Sequence, residues 1–409
     1  MYLRFAWRYF KAKKSTNAIN IIAWISVVAI AVGTASLIIL LSVFNGFEGL
    51  VKSLYADFYT DLKVMPASGK IMQVSAGQLN KLNTLTGIEG YSLVMEEKAL
   101  LQNGDYQTIV YVKGVDSNYE HITNVANKLV RGRFLLGNAD TPSTVLGSGI
   151  ESAVEVESDR AFLPLTIYLP RKNSTMSTAD PSQLLNADQI IPTGSFMIQQ
   201  DFDNKYMLTN LAFLKRMLDM SPDEYGAIEI MLKDPEDEKK VLAQLLPIFG
   251  NSALIQNRYE QNKNLYSVMQ LEKWFIYAAL SLILVVAAFT MIGALTMLVL
   301  EKRKDIQVLK ALGTNNLLIQ KIFLAEGLLL AFLGGGAGAL LAVLICWLQQ
   351  RFHLIKMGGD SFLISYFPVK MIPGDFLLVL FTVFIVAIVA SWFPSRKASL
   401  QPVALKSQE

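Results

Sequence analysis

The sequence predicts a membrane protein with four transmembrane α-helices in a 1+3 arrangement and a large α+β domain between the first helix and the second. Four long apolar stretches predict the helices, and the segment between the first two, 45–270, has the mixed composition of a water-soluble domain. The chain is 52% hydrophobic, and its mean hydropathy is +0.36. Both values are too high for an ordinary soluble protein and too low for a chain that lies wholly in a membrane.

The amino-terminal residues 1–17 predict a short cytoplasmic helix in the headgroup region, because aromatic residues alternate with basic ones and acids are absent. The charge-free stretch 18–44 predicts the first transmembrane helix, since it is far longer than the apolar core of a signal peptide. At its end, Asn45-Gly46 is interpreted as a helix C-cap.

Residues 45–270 predict a domain outside the membrane that is assembled from two separated halves. A β-α-β-β pattern covers about 61–115, and a β-α-β pattern covers about 226–256. The stretch between them, about 116–225, is rich in strand-like runs and turn residues. These patterns indicate one α/β unit that is split by an inserted β-rich subdomain.

The basic residues that flank the remaining helices predict the orientation of the chain. They cluster at the amino terminus, at 301–321 and in the tail, so the positive-inside rule places these segments in the cytoplasm. The α/β segment then lies outside, which is the periplasm in a bacterium with two membranes. The rest of the chain is predicted as the second helix at 271–300, a short amphipathic helix at 301–313, the third helix at 315–350, a periplasmic loop at 351–375, the fourth helix at 376–395 and a cytoplasmic tail at 396–409.

The short amphipathic helix carries the main candidate site. Ile306, Leu309 and Leu312 recur at three-residue spacing, and Gly313 stands where a helix C′ glycine belongs. The apolar row is predicted to fill a groove on a partner protein. The alternative is a solvated basic loop that follows the positive-inside rule. Charged residues are expected at or near the rim of the groove, and these are Glu301, Lys302, Arg303 and Asp305.

Two features of the third helix are candidates for a functional role. Gly334 and Gly338 form a G-x-x-x-G motif, which predicts close packing between helices, with or without a role in movement. Glu326 is an acid in an apolar run near the cytoplasmic end. It is expected to reach the headgroups rather than face the protein.

Three segments together resemble the FtsX-like ABC permeases of the MacB and LolC/LolE group. Residues 301–313 fit the signature E-[KR]-R-x-[DE]-I-x-[VIL]-L-[KR]-[AT]-[LIM]-G. Residues 42–48, Ser-Val-Phe-Asn-Gly-Phe-Glu, are similar to the end of the first helix in lipoprotein-releasing permeases. The Pro-Ser-Arg-Lys-Ala run within 393–398 and the Gln-Pro-Val at 401–403 are similar to the ending of that family. The lipoprotein-releasing branch is the closest match.

This resemblance implies a permease subunit rather than an enzyme. The 301–313 helix becomes a coupling helix that docks on a separate cytoplasmic ABC ATPase, which binds the ATP and Mg²⁺, so no cofactor is expected on this chain. The two halves of the outer domain become porter-like. A second permease copy or a paralogue, a lipoprotein cargo and a periplasmic lipoprotein chaperone are the further partners. The candidate chaperone-contact loop, assigned by position alone, contains Pro170, Arg171, Lys172, Met176 and Pro181.

Other functions are less consistent with the residues. The sequence has no G-x-x-x-x-G-K-[S/T] motif, so no ATPase of its own is expected, and residues 1–17 are too few for one fused ahead of the first helix. Neither a metal site nor nucleic-acid binding is expected from two separated histidines, one cysteine and a net charge of +3. Two alternatives remain, namely a MacB-like exporter with its ATPase in trans and an FtsX-like regulator of cell-wall hydrolases. The large outer domain argues against the second.

Overall fold

The computed structural model describes residues 17–160, 163–171, 185–357 and 366–401, and the chain divides into two compact units. The first, here called the membrane unit, comprises Met1–Leu50 and Ser267–Glu409. The second, here called the α/β domain, is Val51–Tyr266. The predicted cytoplasmic helix at 1–17 lies outside the described residues, except for its last residue.

Along the chain, one long helix precedes the strands of the α/β domain and three long helices follow them. In chain order they are α1 (Asn17–Phe58), β1 (Leu62–Pro66), β2 (Met72–Gln73), α2 (Ala76–Asn83), β3 (Ile88–Asn103), β4 (Tyr106–Val115), α3 (Tyr119–Ile122), β5 (Leu129–Gly132), β6 (Ser143–Gly147), α4 (Ser148–Ala153), β7 (Leu165–Pro170), β8 (Leu185–Phe196), α5 (Gln200–Asp203), β9 (Tyr206–Asn210), α6 (Leu211–Met217), β10 (Glu224–Tyr225), β11 (Ala227–Leu232), α7 (Glu238–Phe249), β12 (Ala253–Asn257), α8 (Arg258–Gln261), α9 (Lys263–Glu301), α10 (Arg303–Ala311), α11 (Asn316–Phe352) and α12 (Pro373–Ser399).

Four helices of the described chain, α1, α9, α11 and α12, are long and apolar enough to cross a membrane. They extend past the predicted spans, and α1 has 42 residues. At about 1.5 Å per residue such a helix is roughly 60 Å long, twice the ~30 Å hydrocarbon core. Hydropathy detects only the apolar part of such a helix, which is why the predicted first span ended at residue 44. The one cysteine of the chain, Cys346, is buried within α11.

The interpretation of Asn45-Gly46 as a helix C-cap is wrong, because α1 continues through both residues to Phe58. Gly46 instead allows another segment of the chain to approach α1 closely. A Cβ atom at this position would collide with the backbone carbonyl of Pro368, and the N–H of Lys370 donates to the carbonyl of Ser42 at 2.8 Å. The absence of a side chain at residue 46 therefore lets the segment before α12 lie against α1.

The α/β domain is built on one ten-stranded sheet with the order β12-β1-β11-β3-β4-β9-β6-β8-β5, and β7 pairs with both β3 and β8. Its first half has the order β1-β2-α2-β3-β4 and its last half the order β11-α7-β12. The strands of the predicted inserted subdomain are not a separate body. They continue the same sheet, because β9 pairs in parallel with β4.

The two faces of this sheet bury different side chains. Alternate residues of β1 and β11, such as Val64 and Ile228, pack with α2 and α7 in one apolar cluster. In a second apolar cluster, Tyr55 and Phe58 from the end of α1 pack against Val94 and other residues of the sheet. Because strand side chains alternate between faces, this arrangement follows from period-two patterning along each strand.

Candidate functional site

The helix α10 is a short amphipathic helix that follows α9 after the single residue Lys302. It ends in a Schellman motif, in which the N–H of Gly313 donates to Lys310 and the N–H of Thr314 donates to Leu309. The φ angle of Gly313 is +86°, a left-handed conformation that glycine adopts without strain. The helix thus ends where the sequence pattern predicts.

The apolar residues of α10 do not share one face, which corrects the predicted docking row. Ile306 is 2% exposed and belongs to the core of the membrane unit, so it is not available to fill a groove on a partner. Leu309 is half-buried, whereas Leu312 is 78% and Val308 59% exposed. Because residues four apart lie on the same side of a helix, Val308 and Leu312 form the outward apolar face. Period-three spacing alone missed Val308.

Charged residues surround the outward face near the start of α10. Arg303 and Asp305 are exposed, and Glu301 is half-buried. Lys302 Nζ lies 3.5 Å from the Asp305 carboxylate. Lys304, which the predicted set left out, is exposed on the same side as Val308. A groove that receives this face therefore meets apolar side chains at the centre and mainly positive charge at one edge.

Lys310 connects α10 to the end of the last helix. Its Nζ donates to the backbone carbonyls of Ser399 and Gln401, both at 2.7 Å. The carbonyls at a helix C-terminus have no partner within the helix and carry partial negative charge, so a lysine there is favourable. Sequence reasoning counted Lys310 only among the charges that set orientation, since its partner lies about 90 residues away.

The two glycines of the predicted packing motif face α1. A Cβ atom at Gly334 would lie 2.8 Å from the carbonyl oxygen of Val27, and one at Gly338 would lie 2.8 Å from Cβ of Thr34. Both distances are shorter than side chains tolerate, so the motif allows the backbones of α1 and α11 to approach closely. Either glycine replaced by a larger residue would push these two helices apart.

The expectation that Glu326 reaches the headgroups is wrong, because this residue is 1% exposed inside the membrane unit. Its neighbour Gly327 explains the burial. A Cβ atom at residue 327 would collide with the hydroxyl of Ser391 in α12, so α11 and α12 pack tightly at this level. An acid that is so enclosed between helices faces protein.

A polar cluster joins three helices at the end of the membrane unit opposite to α10. The Asn45 amide donates to Asp375 at 2.6 Å, and Lys273 Nζ donates to the Asn45 carbonyl oxygen at 2.9 Å. Lys273 also lies 3.2 Å from Asp375. Each polar atom of the cluster thereby offsets the desolvation of another. The cluster explains the asparagine of the 42–48 motif, for which sequence reasoning offered only a cap.

The candidate chaperone-contact loop is described only at its base. Pro170 pairs with Leu185 at the ends of the antiparallel strands β7 and β8. The Arg171 guanidinium donates to Asn186 at 2.8 Å. Lys172, Met176 and Pro181 lie outside the described residues.

The α/β domain contains a buried network of charges. Lys113 Nζ donates to Glu229 at 2.8 Å, and their side chains are 0% and 1% exposed. Lys63 donates to Glu96 at 3.1 Å on the same face of the sheet. Burial would raise the pKa of Glu96, but the ammonium groups of Lys63 and Lys113 hold it at about 2. Despite burial, nearby carboxylates raise the pKa of Lys63 and of Lys113, so both lysines and Glu96 are charged at neutral pH.

Two family descriptions match different parts of this chain. Residues 277–403 match the FtsX-like permease C-terminal family. Residues 23–164 match the MacB-like periplasmic core domain. The resemblance to FtsX-like ABC permeases is thus confirmed, and the class of protein that these matches and the four apolar helices define is an ABC transporter permease with a periplasmic domain.

The similarity to individual permeases extends over nearly the full chain. The transmembrane protein LolE of the lipoprotein-releasing system of Haemophilus influenzae is 26% identical over 98% of both chains. The corresponding LolC of Neisseria meningitidis is 27% identical over 96% of this chain and 95% of its own. The chain is therefore similar over nearly its full length to ABC transporter permeases of the LolC/LolE type, and these relatives imply an inner-membrane protein.

One solved periplasmic region also aligns with part of this chain. The periplasmic region of MacB from Actinobacillus actinomycetemcomitans aligns with a TM-score of 0.36 and 13% sequence identity. The alignment covers 53% of this chain and 98% of that one.

Proposed function

We propose that this chain couples ATP hydrolysis by a separate ATPase to movement of its α/β domain, and that this movement releases lipoproteins from the inner membrane. The observation that carries the coupling part is the outward apolar face of α10, formed by Val308 and Leu312. An apolar face on a nine-residue helix next to basic residues fits a groove on a partner protein. The ATPase is the partner that the family supplies.

The cargo in this proposal comes from the relatives. LolE and LolC, which cover nearly the whole chain, are named as parts of a lipoprotein-releasing system. A periplasmic chaperone then receives the lipoprotein, and its proposed contact is the segment 170–192, whose last residues, from Leu185 on, belong to β8. A second copy of the permease or a paralogue completes the assembly, since four helices are few for a transporter.

The orientation in this proposal follows from charge. The basic residues around α10 and in the last turn of α12 favour a cytoplasmic location for both, where ATP is present. The α/β domain then lies in the periplasm. The helices α1 and α9 each belong to the membrane unit over most of their length and continue without interruption into residues of the α/β domain.

The coupling part is tested by changing the outward face of α10. Val308→Asp places a charge at the centre of the proposed contact, so the ATPase should no longer co-purify with the chain, while insertion and folding are kept. Leu309→Asp, at a half-buried position, should have a similar effect on the ATPase with some loss of folding. ATP hydrolysis by the purified assembly, followed as phosphate release, provides the quantitative readout.

The matched control is Leu246→Asp, which introduces the same charge at an exposed apolar residue of the α/β domain. It should leave both co-purification and hydrolysis unchanged. Equal ATPase recovery with wild type and Val308→Asp would contradict the coupling role of α10. Hydrolysis by the chain in the absence of any ATPase would contradict the subunit assignment.

The cargo part is tested separately with the wild-type assembly in vesicles that contain a lipoprotein. ATP should release the lipoprotein into solution when a periplasmic chaperone is present. Release of small molecules or peptides instead, with the lipoprotein retained, would favour a MacB-like exporter.

A further inference from the structure

The coupling helix and the end of the last helix form one structural body. Beneath the surface, Ile306 of α10 and Ala398 of α12 belong to the same buried apolar cluster, together with Ile319 at the start of α11. Above it, Lys310 Nζ binds the carbonyls of Ser399 and Gln401. Two charge-assisted hydrogen bonds thus hold α10 against the C-terminal end of α12, and both helices contribute side chains to one buried apolar cluster.

The residue between the two bound carbonyls is exposed and apolar. Leu400 is 65% exposed, although its backbone is held by Lys310 on either side and its own N–H donates to Arg396 at 3.2 Å. These bonds hold the backbone on both sides of Leu400 and therefore fix the direction in which its side chain leaves the chain.

The surroundings of Leu400 have the same chemistry as the outward face of α10. Arg396 and Lys397 of α12 are exposed, as are Arg303 and Lys304 of α10. The outward face of α10 therefore combines two exposed apolar side chains with two basic ones near its start, and the end of α12 combines Leu400 with two basic ones. A single partner with an apolar groove and an acidic rim is complementary to both.

We propose that the ATPase binds a composite surface made of α10 and the end of α12, in which Leu400 is a second apolar anchor. Lys310 is a positioning residue, because it holds Leu400 and α10 in one register. This inference rests on the proposed function, in which an ATPase docks on α10. It adds that movement of the ATPase is transmitted directly to α12 as well as to α9.

The experiment measures retention of the co-purifying ATPase by the full-length chain carrying Leu400→Asp. We expect at least about a tenfold loss, since a charge replaces an anchor in a desolvated groove. Leu246→Asp on the α/β domain should cause no loss. Size-exclusion chromatography and protease resistance of each variant verify that the chain remains folded.

Lys310→Met tests the positioning role, since it keeps the apolar stem and removes the ammonium group. Retention should fall several-fold, and Lys310→Arg should recover part of it because a guanidinium can still donate to both carbonyls. Lys239→Met removes an exposed charge from α7 of the α/β domain, outside the proposed surface. It should leave retention unchanged.

The outcomes separate this inference from the function on which it rests. Loss of the ATPase with Val308→Asp but full retention with Leu400→Asp would overturn the composite surface and leave the coupling role intact. Full retention with both would overturn the coupling role itself. If Leu400→Asp weakens only the binding of the purified chain to vesicles of anionic lipid, the end of α12 contacts the membrane and the proposal is wrong.

Discussion

The α/β domain buries charged side chains, whereas the α10 end of the membrane unit exposes apolar ones. In the domain, Lys113 and Glu229 are enclosed within the sheet and paired at 2.8 Å. At the α10 end, Val308 and Leu312 lie open although Ile306 beside them is buried. The difference teaches that residue type alone does not decide burial. A charge is buried where the chain supplies its partner, and an exposed apolar face marks a candidate contact with another molecule.

The largest loss of stability is expected when one residue of the buried Lys113–Glu229 pair is replaced. Glu229→Leu leaves Lys113 with a weaker contact to Glu96 at 3.5 Å, so the α/β domain should lose about 3–5 kcal/mol of stability. Pulse proteolysis of the full chain in urea measures this loss. The double variant Lys113→Met with Glu229→Leu removes both charges and should recover most of it. A double variant as unstable as the single one would show that the pair itself stabilises the sheet.

The next effect compares two apolar residues of α10 that are two positions apart. Ile306→Ala opens a cavity in the core of the membrane unit and should reduce stability by about 2–5 kcal/mol. Val308→Ala, at an exposed position, should change it by less than about 0.5 kcal/mol. Thermal unfolding in detergent measures both. Similar losses for the two variants would mean that both side chains are packed and that α10 has no outward apolar face.

A smaller effect depends on pH and concerns a buried carboxyl of the α/β domain. Burial raises the pKa of Asp203 to about 6, although N–H groups of Ile198 and Gln199 oppose this. Because the folded state then binds the proton more tightly than the unfolded state, stability should fall as pH rises from about 4 to about 6, by at most about 3 kcal/mol. Asp203→Asn should remove this slope. An unchanged slope in the variant would assign the pH dependence to other groups.

The smallest effect is expected at an exposed ion pair of the same domain. Lys70 Nζ lies 2.7 Å from Glu97, but the lysine side chain is largely exposed. Lys70→Ala should therefore cost under about 1 kcal/mol, and salt should reduce the difference further. Urea midpoints at low and high ionic strength measure it. A loss as large as that of Glu229→Leu would remove the distinction between buried and exposed pairs.

The sequence predicts the membrane helices well because their apolar runs are long and local. It places their centres but not their ends, since the polar turns of α1 and α9 beyond the bilayer have no apolar signal. The interpretation of Asn45-Gly46 as a cap failed for a related reason. The glycine is required by contact with Pro368, which lies more than 300 residues further along the chain.

At the candidate site, the sequence locates α10 and its terminal glycine but not its outward face. A spacing of three residues selects Ile306, Leu309 and Leu312, although only a tertiary contact decides which of them turns inward. The roles of Lys310, Asn45 and Glu326 were missed because their surroundings come from other helices. The single sheet that joins the predicted insertion to the porter-like halves depends on pairing between β4 and β9, which periodicity does not reveal.

The burial of Cys346 makes this protein a ready background for thiol chemistry. It is the one cysteine of the chain and is 1% exposed within α11, so a membrane-impermeant maleimide should leave the native protein unlabelled. A cysteine introduced at Ser221 should then react from the periplasmic side, while one at Thr314 should not. The reverse labelling pattern would show that the chain has the opposite orientation in the membrane. The same silent background allows pairs of introduced thiols on α10 and on the end of α12 to be crosslinked selectively during the ATPase cycle.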